Sequence, residues 1–181
     1  LRAFARVAER FPNAVFLMVG PEFDGGETRR TAEELGIRDR VRFFGQQPAD
    51  ILPEFSAITD VGVSLRRPPT GGETSAALID LLRVGVATVV TDVGTFSEYP
   101  DDVVRKVSPS DLGDQLAREM LDLASNPVER AALGRRAFEH ILHHHSWREL
   151  ANRYREAIER LHLSRRGLSL GHSATGIRVA S

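Results

Sequence analysis

Two carboxylates flank a polar stretch in GGETSAALIDLLRVGVATVVTDVGT, the segment 71–95. Glu73 and Asp80 lie seven positions apart within a pattern that predicts a helix over 73–84. Seven residues rise roughly 10 Å along a helix and return to about the same face. Acids at that separation cannot share a proton, but they can bind two ends of one ligand, such as the hydroxyl groups of two sugars.

The residues between the two acids favour an anion-binding site. Thr74 and Ser75 fall in the first turn of the predicted helix, where backbone N–H groups have no partner inside the helix. Gly71 and Gly72 allow the backbone to approach a ligand closely. A bound phosphate would be stabilised by the free amides and the helix dipole. The order acid, anion site, acid suits a sugar, a diphosphate and a ribose; the alternative is that both acids are structural.

Apolar strands alternate with amphipathic helices along the chain. The predicted strands are 14–20, 41–45, 60–65, 87–92 and 103–107. This alternation predicts an α/β protein, a Rossmann-like three-layer α/β/α domain with a parallel sheet covered on both faces. Ligands of such sheets bind at the carboxyl ends of the strands. The polar or glycine-bearing loops follow strands at 20–21, 45–47, 66–72 and 92–94, where a ligand site is expected.

The composition is that of an ordinary globular protein. The 181 residues are 41% apolar and 27% charged, with a net charge of −1, so neither nucleic acid nor an anionic membrane is an expected partner. The absence of cysteine excludes disulfides, thiolate zinc sites and a cysteine nucleophile in this chain, and it fits a cytoplasmic location. No apolar run reaches the ~20 residues that span a bilayer.

We expect one domain over 1–162 and a flexible C-terminal tail over 163–181, because the end of the chain is small, polar and aperiodic. The chain starts at Leu1 in a helical pattern, which indicates a piece of a longer protein. In the last predicted helix, 147–161, the apolar residues expected to face inward are Leu150, Tyr154, Ile158 and Leu161.

Four histidines near the end of a predicted helix do not predict a metal site. His143, His144 and His145 diverge around a helix, and the nearby acids fall at no recognisable ligand spacing. The interpretation is therefore a helix terminus with partly cationic imidazoles and no bound metal.

The segment 71–95 resembles the donor-binding core of retaining GT-B glycosyltransferases, the group that includes many bacterial glucosyl- and mannosyltransferases. There, a glutamate opens a helix after a glycine-bearing loop, a second acid lies on that helix, and a small-Gly-x-Pro-Val-Val strand leads to a Thr-Asp-x-Gly turn. The matching positions are Glu73, Asp80, 85–90 and 91–94. The resemblance extends upstream to LMVG, VRFFG and ITDVGVSL and downstream to Ser146-Trp147, and so covers roughly 1–161.

Three positions depart from the family pattern. Six residues separate the two acids instead of the usual seven, and the second acid is Asp80 instead of glutamate. Ala87 or Thr88 stands where the common proline would be. The shortened spacing leaves the contact of each acid open.

The resemblance implies the C-terminal, donor-binding half of a GT-B fold. Glu73 would lie at the hydroxyls of the transferred sugar as the catalytic-site acid, and Asp80 would bind the ribose. The groups implied for sugar or phosphate are Gly71, Gly72 and the amides around Thr74 and Ser75. The loop implied for the base is Gly45, Gln46 and Gln47. Arg66 could reach the phosphates; the alternative is a solvated loop arginine.

The implied reaction is transfer of a hexose from a nucleotide-diphosphate sugar with retention at the anomeric carbon, without a bound metal or cofactor. The family's basic pair for the diphosphate and its N-terminal acceptor domain would precede Leu1, so the chain alone is expected to be inactive. Two alternatives stay open: half of a non-hydrolysing nucleotide-sugar epimerase, and a non-catalytic doubly wound interaction module. The sequence specifies neither base, sugar nor acceptor.

Overall fold

The computed structural model describes residues 1–22 and 24–173, apart from the side chains of Trp147 and of residues 165–173. The chain divides into two compact units, Leu1–Ile141 and a second that begins at Leu142. The candidate site lies in the first unit.

Helices and strands alternate from the first helix to the fourth strand, as predicted, and three consecutive helices follow the fifth strand. The helices are α1 (Arg2–Arg10), α2 (Glu27–Glu34), α3 (Leu52–Ala57), α4 (Ala76–Arg83), α5 (Leu112–Ser125), α6 (Pro127–His144) and α7 (Trp147–Ser173). The strands are β1 (Phe16–Val19), β2 (Val41–Gly45), β3 (Val61–Ser64), β4 (Ala87–Thr91) and β5 (Arg105–Val107). A short 3-10 turn, Gly94–Glu98, follows β4.

All strand pairs of the described chain are parallel. β1 pairs with β2, and β4 lies between β3 and β5, with Val61 opposite Ala87 and Val89 opposite Arg105. The parallel α/β fold is therefore confirmed. The strands form two hydrogen-bonded sheets, β1-β2 and β3-β4-β5, in place of the single sheet that the alternation predicted.

Strand β4 separates two apolar clusters of the first unit. Val89 belongs to a cluster that also contains Phe4 of α1 and Leu123 of α5. The next residue, Val90, belongs to a second cluster with Leu82 of α4. Because successive side chains of a strand point to opposite faces, β4 has helices packed on both sides.

Helix α4 begins three residues later than predicted. Ser75 is its N-cap: its backbone is extended, and its Oγ accepts a hydrogen bond of 3.2 Å from the Leu78 N–H. This hydroxyl satisfies one of the amide groups that helix starts leave without partners. Glu73 and Thr74 therefore lie in the loop before the helix. The expected two-turn helical spacing of Glu73 and Asp80, and the placing of Thr74 and Ser75 in the first turn, are wrong.

Helix α7 continues to Ser173, beyond its predicted end at Leu161. The first part of the segment expected as a flexible tail, 163–173, is thus helical, and 174–181 lie outside the described residues. The four apolar residues expected to face inward are exposed by 42–65%: Leu150, Tyr154, Ile158 and Leu161. The prediction that this face of α7 is buried is therefore wrong.

None of the helices in the described part of the chain combines the length and the apolar character needed to cross a membrane.

Candidate functional site

The backbone of Arg66, two residues after β3, is fixed by strand β4. The Arg66 N–H donates to Thr91 Oγ1 at 2.8 Å, and the Thr91 hydroxyl donates to the Arg66 carbonyl oxygen at 3.1 Å. Thr91 is fully buried, so this one hydroxyl satisfies two backbone groups that would otherwise lose their hydrogen bonds to water. The start of the loop 66–72 is therefore held against the end of the neighbouring strand.

The guanidinium of Arg66 is held by two further contacts. Its Cζ lies 4.8 Å from the ring centroid of the buried Phe96. Its Nη1 donates to the Glu73 carbonyl oxygen at 2.7 Å and to Glu73 Oε1 at 2.5 Å. The Arg66 side chain is 19% exposed, so it is not a freely solvated loop arginine. Its contact with phosphate stays a prediction.

Glu73 is tied to both strand-end loops through its backbone. Its carbonyl oxygen accepts a second hydrogen bond, of 3.0 Å, from Thr95 Oγ1 in the turn after β4. Its carboxylate has a pKa below the usual value, because its own backbone N–H and then the charge of Arg66 outweigh partial desolvation. The side chain is thus ionised at neutral pH. It is suited to accept hydrogen bonds from hydroxyls and unsuited to donate a proton.

Three glycines allow the loops to adopt this arrangement. Gly94 has a φ of +54°, and a Cβ at that position would overlap the side chain of Thr70 in the loop after β3. Gly72 has a φ of +76°, a conformation that L residues with side chains rarely adopt. A Cβ on Gly71 would lie 3.0 Å from Glu73 Oε2. The two glycines predicted for close ligand approach therefore also shape the loop that presents Glu73.

Asp80 lies on α4 and pairs with another residue of the same helix. Its Oδ1 is 3.1 Å from Arg83 Nη2, and its side chain is 26% exposed. Within the described chain, no hydrogen bond or ion pair joins it to Arg66 or Glu73. The pairing with Arg83 matches the structural alternative, while binding of ribose stays a prediction.

The loop predicted to meet the base lies on the other sheet, at the end of β2. Gly45 has a φ of +65°, and its carbonyl oxygen accepts a hydrogen bond of 2.8 Å from the N–H of Gly20. Gln47 donates its Nε2 to the Phe44 carbonyl oxygen at 2.6 Å, and Gln46 is exposed. The structure thus brings together the ends of β1 and β2, and separately the ends of β3 and β4.

Thr91, Thr95 and Phe96 are site residues that the sequence analysis missed. Thr91 ends an apolar strand, and Thr95 and Phe96 follow the Thr-Asp-x-Gly turn. The available signal in the sequence was the hydroxyl of Thr91 at the end of an apolar strand that is predicted to be buried. Such a buried hydroxyl needs a hydrogen-bond partner from an adjoining loop.

A polar depression of about 510 Å³ lies beside β5; Asp92 of the loop after β4 lines it, whereas Arg66, Glu73 and Asp80 do not. Two of its basic side chains already have acidic partners: Lys106 is 2.9 Å from Asp101, and Arg105 is 3.0 Å from Glu129. These pairs make it an ion-paired surface. Among the described residues, no three histidine, cysteine or acidic side chains are grouped so that they could hold a metal ion.

The model of the family described as "Glycosyl transferases group 1" matches residues 1–140, which contain the whole arrangement above. The chain belongs to this family. No curated protein sequence matches it.

Solved structures of glycosyltransferases have the same fold. Sucrose-phosphate synthase from Thermosynechococcus elongatus superposes with a TM-score of 0.69 and 22% identity, covering 90% of this chain and 42% of its own. Anabaena HepE in complex with UDP superposes with a TM-score of 0.65 and 19% identity, covering 76% of this chain and 38% of its own. The C-terminal domain of LpcC from Francisella tularensis superposes with a TM-score of 0.65 and 15% identity, covering 78% of this chain and 76% of its own.

The fold is therefore the Rossmann-like C-terminal half of a GT-B glycosyltransferase, as the resemblance implied. The chain spans about two fifths of the length of the synthase and of HepE.

Proposed function

We propose that this chain is the donor-binding domain of a glycosyltransferase that transfers a sugar from a nucleotide-diphosphate sugar with retention at the anomeric carbon. The observation that carries the proposal is the arrangement of Arg66, Glu73 and Thr95 at the carboxyl ends of two neighbouring parallel strands. Family membership supports the reaction class. The structure of HepE with UDP-glucose supports this class of donor.

Each group has a proposed part in binding the donor. The ionised Glu73 accepts hydrogen bonds from hydroxyls of the transferred sugar. Arg66 and the amides of the loop 71–75 neutralise the diphosphate without a metal ion or cofactor. The Ser75 hydroxyl oxygen already accepts the N-cap hydrogen bond of α4, so it takes part in this task as an O–H donor.

The nucleoside is bound by the remaining predicted residues. Asp80 accepts hydrogen bonds from the ribose hydroxyls, and Arg83 is the partner that it exchanges or shares when it does so. Gly45, Gln46 and Gln47 meet the base, mainly through backbone groups.

The acceptor binds to a preceding domain of the whole protein in this proposal, and the chain by itself does not transfer sugar. We place the protein in the cytoplasm, which the lack of cysteine in this chain fits.

The test is the melting temperature of the protein with UDP, GDP or ADP at about 10 mM and no added metal. With a Kd of about 1 mM, the matching nucleotide stabilises the fold by about 1.4 kcal/mol. For a chain of this size, that is a rise of roughly 3–5 °C. Asp80→Asn should abolish the rise, whereas Asp114→Asn, which also removes a carboxylate that is paired with an arginine, should keep it.

The outcomes separate the proposal from its alternatives. If no nucleotide stabilises the full-length protein, the non-catalytic module is the correct interpretation. If the full-length protein changes the configuration of the sugar in a nucleotide-sugar without an acceptor, it is an epimerase.

A further inference from the structure

Arg66 and Glu73 form an ion pair whose two members are held very unequally. Arg66 has its backbone bonded to Thr91 and its guanidinium over Phe96, and its side chain is 19% exposed. The Glu73 side chain is 56% exposed, and its carboxylate accepts hydrogen bonds from Arg66 and from the backbone N–H groups of Glu73 and Gly71 in its own loop. The cation is therefore fixed by the fold, whereas the anion has room to leave.

A guanidinium fixed in this way is a preorganised site for an oxyanion. Carboxylate and phosphate oxygens accept the same charge-assisted hydrogen bonds from arginine. The contact with Glu73 Oε1 thus fills a position at Nη1 that a phosphate oxygen could take.

The loop does not need this contact to keep its place. The Glu73 carbonyl oxygen is bonded to Arg66 Nη1 and to Thr95 Oγ1, independently of the carboxylate. The carboxylate can therefore turn away while the backbone of Glu73 remains at the site.

We propose that Arg66 is an oxyanion-binding site that the Glu73 carboxylate occupies in the free protein, and that a diphosphate displaces this carboxylate. The identity of the diphosphate as that of a nucleotide-sugar rests on the proposed function above. The displaced carboxylate, still ionised, then faces the sugar hydroxyls next to that diphosphate. Entry of the diphosphate and recognition of the sugar are thus coupled through one side chain.

The coupling predicts a change in anion affinity that a purely structural ion pair would not produce. Glu73 competes with an incoming anion, so removing its charge should strengthen binding of an anion that carries no sugar. A bare diphosphate displaces Glu73 without giving it a new partner, whereas a sugar diphosphate supplies hydroxyls that accommodate it. Glu73 therefore favours the sugar-bearing ligand over the bare one.

The first experiment is calorimetric titration of the full-length protein with inorganic pyrophosphate, without added metal. Glu73→Gln should bind about three- to fivefold more tightly than the natural protein, as expected for removing an exposed competing ion pair. Arg66→Gln should weaken binding by about tenfold or more. Glu33→Gln, which removes the same charge from an exposed site on α2, should leave the affinity unchanged.

A second variant keeps the test valid if Glu73→Gln does not fold. Glu73→Asp retains the charge on a side chain one methylene shorter, so it should compete less well and give an intermediate affinity. Pyrophosphate binding that is weakened or unchanged in both Glu73 variants overturns the proposal.

The same variants distinguish this proposal from the proposed function. Tighter pyrophosphate binding by Glu73→Gln with no stabilisation by any nucleotide supports the anion site and contradicts donor binding. Stabilisation by one nucleotide with unchanged pyrophosphate affinity in Glu73→Gln supports donor binding and overturns the displacement.

Discussion

Strands β1 and β4 are both apolar runs, but the fold places them very differently. All five residues of β4 are buried, whereas all four of β1 are half-buried. Among the described residues, β4 has a hydrogen-bonded strand on either side, and β1 has one on a single side, β2. The comparison shows that burial follows a strand's position in the sheet more closely than its apolar content.

The loops that follow the strands differ in how they are held in place. The loop that presents Glu73 is bonded to the end of β4 and to the turn after it, through Thr91 and Thr95. The Gln47 side chain, after β2, donates to the end of its own strand. The part proposed to hold sugar and phosphate thus has side chains fixed by neighbouring elements, while in the part proposed to meet the base the Gln47 side chain is fixed locally and the Gly45 backbone by Gly20.

The largest expected effect comes from disturbing the turn that leads into β4. A Cβ on Gly134 of α6 would overlap the carbonyl oxygen of Gly85 and come within 3.0 Å of its carbonyl carbon. Both neighbours are backbone, so relief requires the helix or the turn to move. We expect Gly134→Ala to lower the free energy of unfolding by about 3 kcal/mol, measured by urea denaturation.

Gly113 is the matched control for that substitution. It lies in α5, where an added Cβ would have nothing within 4 Å, so Gly113→Ala should raise stability by about 0.5 kcal/mol. Equal effects of the two substitutions would show that close packing against the β4 turn is not what makes Gly134 necessary.

A smaller effect should separate the two strands themselves. Val89→Ala in β4 removes fully buried methyl groups and should cost about 2 kcal/mol. Val19→Ala in β1 removes the same atoms from a half-buried position and should cost about 1 kcal/mol or less. Urea denaturation of both variants measures the difference. A cost for Val19→Ala as large as that for Val89→Ala would contradict the distinction between the strands.

The sequence predicted the elements of the fold better than the geometry of the site. The apolar runs and glycine-bearing loops identify β1 to β5, because hydrophobic periodicity is a local property. The start of α4 was misplaced because an acid such as Glu73 suits the first turn of a helix. Only the hydrogen bond from the Leu78 N–H to Ser75 Oγ identifies Ser75 as the N-cap.

The contacts of the site depend on residues far apart in the chain. The sequence placed Arg66 in a loop and Glu73 at the start of the following helix, but the support of both comes from Thr91, Thr95 and Phe96 on the next strand and turn. No local pattern specifies such pairs. Similarly, the apolar face of α7 predicted burial, and only the folded chain shows Tyr154 and Ile158 exposed.

The smallest expected effect is the pH dependence of the Arg66–Glu73 pair. The pKa of Glu73 in the folded protein lies below its usual value of 4.5, through its own backbone N–H and then Arg66. A carboxyl with a depressed folded-state pKa stabilises the fold above its unfolded-state pKa, and this contribution is lost as the pH falls through the folded-state value. The melting temperatures of the natural protein and Glu73→Gln should therefore differ at neutral pH and converge as the pH is lowered below about 4.5.

Val89→Ala is the control for this pH dependence. Its melting temperature should stay below that of the natural protein over the same pH range, because the loss comes from packing. If the difference in melting temperature between the natural protein and Glu73→Gln does not change with pH, the Glu73 carboxylate does not stabilise the fold through its charge. That result would remove the basis for an exchange with diphosphate at Arg66.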